Sequence, residues 1–312
     1  MITHYAEQGI LAVDTHYLRP QLDASHLIVR NGQAAIVDCG TSFSTPHVLD
    51  SLETCGLSPS DVKYLIITHV HLDHAGGAGH LMQALPEAQL LVHPRGARHL
   101  IDPSKLWAGA TEVYGAEAME ELYGAMLPVE ASRVTETQEG SCFLLGGSSL
   151  EFLHTPGHAK HHHAVWEPAT RSLFTGDTFG LAYPRFTTQS GPFIFPTTTP
   201  VHFDPEAMRD SIQRFMALKP NAAFLTHYGR IQNVNAAGQM LLARLEQHVK
   251  IAEAAKELQA NERKDAIKRD LSAQLLKSLR NHGVLETPPL SLEWWETDLE
   301  LNAQGLAHWL TT

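Results

Sequence analysis

The chain has 312 residues, 43% of them apolar, and 34 acidic against 23 basic side chains give a formal net charge of −11. That length supports one large domain or one and a half, and the composition excludes a low-complexity or disordered chain. The acidic balance argues against a nucleic-acid partner, which needs a basic face, and no apolar run approaches the ~20 residues of a membrane span.

The first residues, Met1-Ile2-Thr3-His4-Tyr5-Ala6-Glu7, lack the basic and apolar regions of a secretory signal. Cys39, Cys55 and Cys142 are odd in number and have no CxxC spacing, so they suggest neither a disulfide framework nor a thiolate zinc site. These features predict a soluble, cytoplasmic protein.

Short strands are predicted at 10–13, 25–30 and 34–38, the last two joined by the turn signal Asn31-Gly32. A helix follows Ser44-Thr45-Pro46, with proline in its first turn. Lys63 to Thr68 reads as a buried strand that delivers the chain into His69, and Ala75-Gly76-Gly77 is followed by a helical pattern through Leu85. Another strand covers 90–93. Residues 97–129 turn helical, a long connection that reads either as packing on a sheet or as a substrate wall. Strands resume at 142–145, 149–154, 164–166 and 172–175. The stretch 180–205, rich in Pro, Thr, Phe and Gly, reads as a long loop. A helix at 205–218 and a strand at 222–226 lead into His227, and beyond Gly229 the chain is predicted to be almost wholly helical. Strands alternating with helices indicate an α/β protein, and the two strand–helix halves suit a helix–sheet–sheet–helix sandwich.

Twenty histidines are unusual, and several are ordered rather than scattered. His69-Val70-His71-Leu72-Asp73-His74 puts four ligand candidates on one tight loop at a strand end. Three more candidates follow at strand ends: His158 after Thr155-Pro156-Gly157, Asp177 after Thr175-Gly176, and His227 after Thr226. Strand-end loops are where a rigid fold presents reactive groups.

Thr68 to Gly77, Thr155-Pro156-Gly157-His158, Thr175-Gly176-Asp177 and Thr226-His227 resemble the successive metal motifs of the metallo-β-lactamase superfamily, and they occur in the family's order. The resemblance covers about residues 1–230. It implies a four-layer αββα sandwich with a C-terminal helical appendage: a catalytic domain over 1–235, with the helical insert at about 97–129, and a helical region over 236–312. It further implies two divalent metal ions, zinc first, with iron and manganese as alternatives. His69, His71 and His158 would hold one ion, Asp73, His74 and His227 the other, and Asp177 would bridge them. Mostly imidazole donors with two carboxylates suit such ions.

The implied activity is that of a hydrolase in which a hydroxide bridging the metals attacks an ester, thioester, lactone or phosphodiester of a small-molecule substrate, with Asp73 and Asp177 as catalytic carboxylates. True β-lactamases of this fold generally lack the bridging aspartate, so Asp177 points to the branch resembling glyoxalase II, lactonases and phosphodiesterases. Flavodiiron proteins carry Glu where this chain has His71, which disfavours a di-iron oxidoreductase. A second alternative is a ligand-binding or signalling protein with little turnover, docking through the helices that carry Trp294, Trp295 and Trp309. Neither a membrane nor a nucleic-acid partner is expected, and a homodimer is left open.

Around the ligands, Asp38 ends a neighbouring strand and reads as an outer partner of a ligating histidine, or as a turn former. His161, His162 and His163 read as a strand start with some histidines near the ligands. Tyr183, Arg185 and Tyr228 lie shortly after Asp177 and His227, where a hydroxyl or guanidinium could meet substrate. Phe179, Phe186, Phe193 and Phe195 either line a pocket or anchor the long loop.

Overall fold

The computed structural model describes residues 1–284 and 292–312, apart from the side chains of residues 113 and 114. The chain packs as two compact units that do not follow a single boundary in sequence. One comprises Met1–His154, His161–Gly176 and Pro220–Gln232, the other Thr155–Lys160, Asp177–Lys219 and Asn233–Thr312.

The first unit holds both sheets. A seven-stranded mixed sheet runs in the order β1 (Ile2–Tyr5), β2 (Ile10–Asp14), β3 (Ala24–Arg30), β4 (Gln33–Val37), β5 (Val62–Ile67), β6 (Gln89–Val92) and β7 (Val134–Glu136). The second has six strands: β8 (Cys142–Leu145), β9 (Ser148–His154), β10 (His163–Glu167), β11 (Ser172–Phe174), β12 (Ala222–Leu225) and β13 (Gly229–Ile231). Asn31 and Gly32, both at positive φ (46° and 76°), close the β3–β4 hairpin, as a two-residue turn matched to strand twist requires.

Strand periodicity separates two cores. Leu27, Ala34, Ile36, Leu65, Ile67, Leu90 and Val92 face the helices α1 (Thr45–Thr54), α3 (Ala78–Ala84) and α4 (Pro94–Ile101), where Val48, Leu52, Leu81 and Leu100 meet them. The alternate residues Ile28, Ala35, Val37, Ile66 and Leu91 turn to the second sheet and pack on Phe152, Val165, Phe174 and Phe224. β4, β5 and β6 are parallel neighbours, and the end of β5 nearest His69 is buried on both faces, which is why Leu65-Ile66-Ile67 reads as an apolar run.

Between β6 and β7 the chain forms α4, α5 (Ser104–Tyr114) and α6 (Ala116–Tyr123), the helical stretch expected there. Three strands escaped the sequence reading. β1, β7 and β13 have only three or four residues each and lie at sheet edges; the equally short edge strand β8 was legible because Phe143-Leu144-Leu145 gives it an apolar run that β7 and β13 lack. β13 corrects the expectation of continuous helix beyond Gly229: it pairs antiparallel with β12 before the helices begin.

The second unit is helical, with α7 (Pro205–Ala217), α8 (Val234–Ala254), α9 (Ala260–Asn281) and α10 (Glu296–Trp309). Asp204 and Asn233 cap α7 and α8 by accepting from the third backbone N–H. α10 lies so close to the loop at Thr198 that a Cβ on Gly305 would collide with the Thr198 carbonyl, so only glycine fits. Phe179, Phe186, Phe193 and Phe195 are all buried and anchor the long loop inside this unit. Trp295 is buried against Phe186, Phe193 and Phe195. No helix among the described residues is long and apolar enough to cross a membrane.

A buried histidine pair in the first unit sets a pH dependence. His163 is enclosed, its Nδ1 2.7 Å from Thr137 Oγ1, and burial, aided by His93 and His154, pushes its pKa down to about 3. His93 is pushed down to about 4, chiefly by burial and then by His154 and Arg95. Both titrate near ~6.5 in an unfolded chain. Below that pH the unfolded state binds more protons, so stability present above pH ~6.5 is lost as pH falls toward the folded values, at ~1.4 kcal/mol per pH unit for each histidine. Unfolding free energies from urea titrations of chelator-treated His163→Gln at pH 7, 6 and 5 are expected to fall less steeply than those of wild type, by up to ~1.4 kcal/mol per pH unit below pH ~6.5. Equal slopes would remove His163 from the account.

Candidate metal centre

The centre is built at strand ends drawn from both sheets. β4 ends in Asp38, β5 runs through Thr68 into His69, and β12 runs through Thr226 into His227. Asp38 adopts a left-handed backbone (φ 55°), which aspartate tolerates better than most residues. Its carboxylate is wholly buried. Oδ1 accepts from the Thr68 backbone N–H at 2.8 Å, and Oδ2 accepts from Thr226 Oγ1 at 2.7 Å and His74 Nδ1 at 2.8 Å. The Thr68 hydroxyl reaches both oxygens, at 2.9 and 2.8 Å.

The His69–His74 loop is locked onto the same strand end. Cys39 N–H donates to the His74 carbonyl at 2.8 Å, and Gly77 N–H donates to the Gly40 carbonyl at 3.0 Å. A Cβ on Gly77 would lie 2.6 Å from the Thr41 carbonyl, so this approach requires glycine.

The hydrogen bonds select the histidine tautomers. Asp38 can only accept, so His74 carries its proton on Nδ1. The Leu22 carbonyl, 2.9 Å from His227 Nδ1, does the same for His227. The Thr68 hydroxyl donates to Asp38 and therefore accepts from His69 Nδ1 at 3.2 Å. Each of these rings is left with its Nε2 lone pair turned outward, the arrangement a ligating imidazole needs. His69 Nε2 and His71 Nδ1 are 2.9 Å apart, close enough to reach one ion. Asp73, His74 and His227 each bring a ligand atom within 4.8 Å of the others, and Asp73 Oδ2 is 3.4 Å from His227 Nε2. Two imidazoles and a carboxylate at that spacing fit a divalent transition metal.

In the second unit, His158 Nε2 lies 3.5 Å from Asp177 Oδ2, with His158 Nδ1 3.4 Å from the Thr197 carbonyl. Thr197 Oγ1 donates to the Asp177 carbonyl at 2.8 Å. This imidazole, too, has a carbonyl on Nδ1 and presents Nε2 to a carboxylate.

The other candidates fall in varied places. His161 and His162 are buried in the first unit. The His161 ring stacks 6.2 Å from that of His69, and its Nδ1 lies 3.4 Å from the Val70 N–H, within the ligand loop. Tyr183 is buried in the second unit, its hydroxyl donating to Asp298 at 3.0 Å, and the Arg185 guanidinium lies 4.2 Å above the Trp294 ring. Both serve helix packing. Tyr228 is buried against Ala12, Ala24 and Tyr5, and burial pushes its hydroxyl pKa up.

Two features were not predicted. Asp23 is enclosed near His227 and His74, and burial pushes its pKa up to about 7 against their attraction, with Thr15 Oγ1 donating at 2.9 Å. It sits in an irregular segment with no motif to mark it. Thr68 and Thr226 left a trace in the repeated Thr-His pairs at two strand ends, which the convergence of both hydroxyls on Asp38 explains.

The sequence profile of the metallo-beta-lactamase superfamily matches residues 21–227. The chain belongs to this superfamily. Its two mixed sheets and helices are the superfamily's α/β sandwich, with a C-terminal helical region. A metallo-beta-lactamase fold-containing protein of Sulfurisphaera tokodaii is 28% identical over 218 residues, covering 68% of this chain and 75% of that protein. A hydroxyacylglutathione hydrolase of Xanthomonas euvesicatoria is 29% identical over 227 residues, covering 68% and 67%. Among solved structures, a family member from Thermus thermophilus superposes with a TM-score of 0.67 at 20% identity, covering 97% of this chain and 92% of its own.

Asp38→Ala would strand the Thr68 N–H, the Thr226 hydroxyl and His74 Nδ1 without their acceptor. Urea unfolding is expected to show a loss of about 3 kcal/mol or more, part of it recovered in Asp38→Asn, which keeps one acceptor oxygen. A loss below ~0.5 kcal/mol, the range of an ordinary surface change, would contradict the central place given to Asp38.

Proposed function

We propose that the protein is a dinuclear metal-dependent hydrolase of esters, thioesters, lactones or phosphodiesters, with zinc as its first candidate metal. The observation that carries the proposal is the Asp73, His74 and His227 group, in which outer partners hold both imidazoles in the ligating tautomer. On the order of the sequence motifs and the superfamily's pattern, His69, His71 and His158 are assigned to one ion and Asp73, His74 and His227 to the other, with Asp177 between them. The hydroxyacylglutathione hydrolase relatives support hydrolysis over a purely structural metal site, and the presence of Asp177 favours that branch over antibiotic hydrolysis.

When bound, a pair of divalent ions supplies a nucleophile at neutral pH and polarises the bond under attack. The protein's residues do the rest. Asp38, Thr68 and the Leu22 carbonyl fix the imidazoles so that no reorientation precedes metal capture. Asp73, half-buried and on the same loop as His71 and His74, is the carboxylate assigned to hand a proton to the leaving group.

The test pairs metal analysis with a panel of thioester, lactone, phosphodiester and β-lactam substrates. Wild type is expected to hold two ions per chain and to turn over at least one non-β-lactam class. Asp177→Ala should lower the metal content and reduce kcat/KM by more than ~100-fold, beyond the ~10–100-fold typical of losing an outer partner. Full activity with both ions retained in that variant would sink the bridging role, and no turnover by two-metal protein would sink the hydrolase.

A further inference from the structure

Asp23 is a buried carboxylate with one oxygen unsatisfied. The side chain is wholly enclosed, and Oδ2 accepts from the Thr15 hydroxyl at 2.9 Å, but Oδ1 has no hydrogen-bond partner among the described residues. Two bonds fix its place. On one side of it the Leu22 carbonyl lies 2.9 Å from His227 Nδ1, and on the other the Ala24 N–H donates to the Thr226 carbonyl at 2.8 Å. Asp23 is therefore held between the two bonds that join this segment to the Thr226-His227 strand end. The charged groups that act on it most strongly are His227, His74 and Asp73, which are the ligand group of the first unit. Asp23 itself belongs to none of the groups of described residues whose ligand atoms lie within 4.8 Å of one another.

A buried carboxylate oxygen without a donor is unfavourable, the more so when the group carries charge. In native structures such an oxygen is met by water or by an ion. We propose that Asp23 is a positioning residue of the metal centre: without ligating, its carboxylate supplies a fixed negative charge that strengthens the hold of Asp73, His74 and His227 on a divalent ion. The inference rests on the metal-centre reading and deepens it. Attraction between enclosed charges is weakly screened, so the carboxylate acts across a gap too wide for ligation. Asp38 works differently. Its oxygens are engaged by Thr68, Thr226 and His74, and it fixes a tautomer, whereas Asp23 makes no hydrogen bond to a candidate ligand and acts through charge. An asparagine oxygen would serve the Thr15 bond equally, so charge is what distinguishes the residue present.

The experiment is competition for zinc between the stripped full chain and a chromophoric chelator, with urea unfolding of the stripped protein beside it. Asp23→Asn keeps an acceptor for Thr15 and removes the charge. It is expected to weaken zinc binding by about 10–100-fold, the range typical of losing an outer partner, with an unchanged urea midpoint. Asp23→Ser removes the same charge in a smaller side chain and is expected to weaken zinc likewise, should the asparagine variant fail to fold. Thr15→Val keeps the charge and removes only the bond that orients it, so it should lower the urea midpoint and weaken zinc less than either. Wild-type zinc affinity in the Asp23 variants overturns the proposal. A weakening in Thr15→Val as large as theirs also overturns it, since the effect would then belong to packing. Wild type that takes up no zinc overturns the metal-centre reading and this inference with it. Affinity is read without turnover, so failure of the hydrolase reading alone leaves the result standing.

Discussion

The buried carboxylate of Asp38 is the constraint on which the centre depends. Its two oxygens are met by donors from three other segments: the Thr68 N–H and hydroxyl, the Thr226 hydroxyl and His74 Nδ1. A buried charge satisfied in this way is favourable only when every donor arrives in place. The ends of β4, β5 and β12 and the ligand loop are thereby drawn to one point. The same bonds decide which nitrogen of His74 and of His69 remains basic, so one carboxylate links the packing of the sheets to the chemistry of the site.

The ligand loop is tied by backbone bonds at Cys39 and Gly77, and its glycines admit no side chain. The insert helices are different. They border a groove lined by Trp107 and Met126, while Phe43, on the short 3-10 turn before α1, is exposed.

The second unit has a self-contained logic. Its core is aromatic, with Trp295 ringed by Phe186, Phe193 and Phe195, and Tyr183 fastened to Asp298. Side chains that looked available for substrate when read along the chain, Tyr183 and Arg185, are held by the C-terminal helices. Their nearness to Asp177 in sequence carried no information about where their side chains point, because the long loop turns them into the helical core.

The alternation of apolar residues, the Asn31-Gly32 turn and the buried run of β5 were legible because they are local, and local geometry alone produces them. The metal motifs were legible for the same reason: four candidate ligands sit on one short loop, and each remaining one follows a strand. β1, β7 and β13, three or four residues each, carried no apolar run to mark them, unlike the equally short β8. Asp23 and the convergence of Thr68 and Thr226 on Asp38 were invisible because each is a meeting of segments far apart in the chain. Residue types and their spacing determined that this protein offers ligands for metal. Which nitrogen each histidine of the first unit presents, and which wall stands beside the ligand loop, was decided by tertiary packing, since hydrogen-bond partners and apolar neighbours exist only once distant segments are folded together.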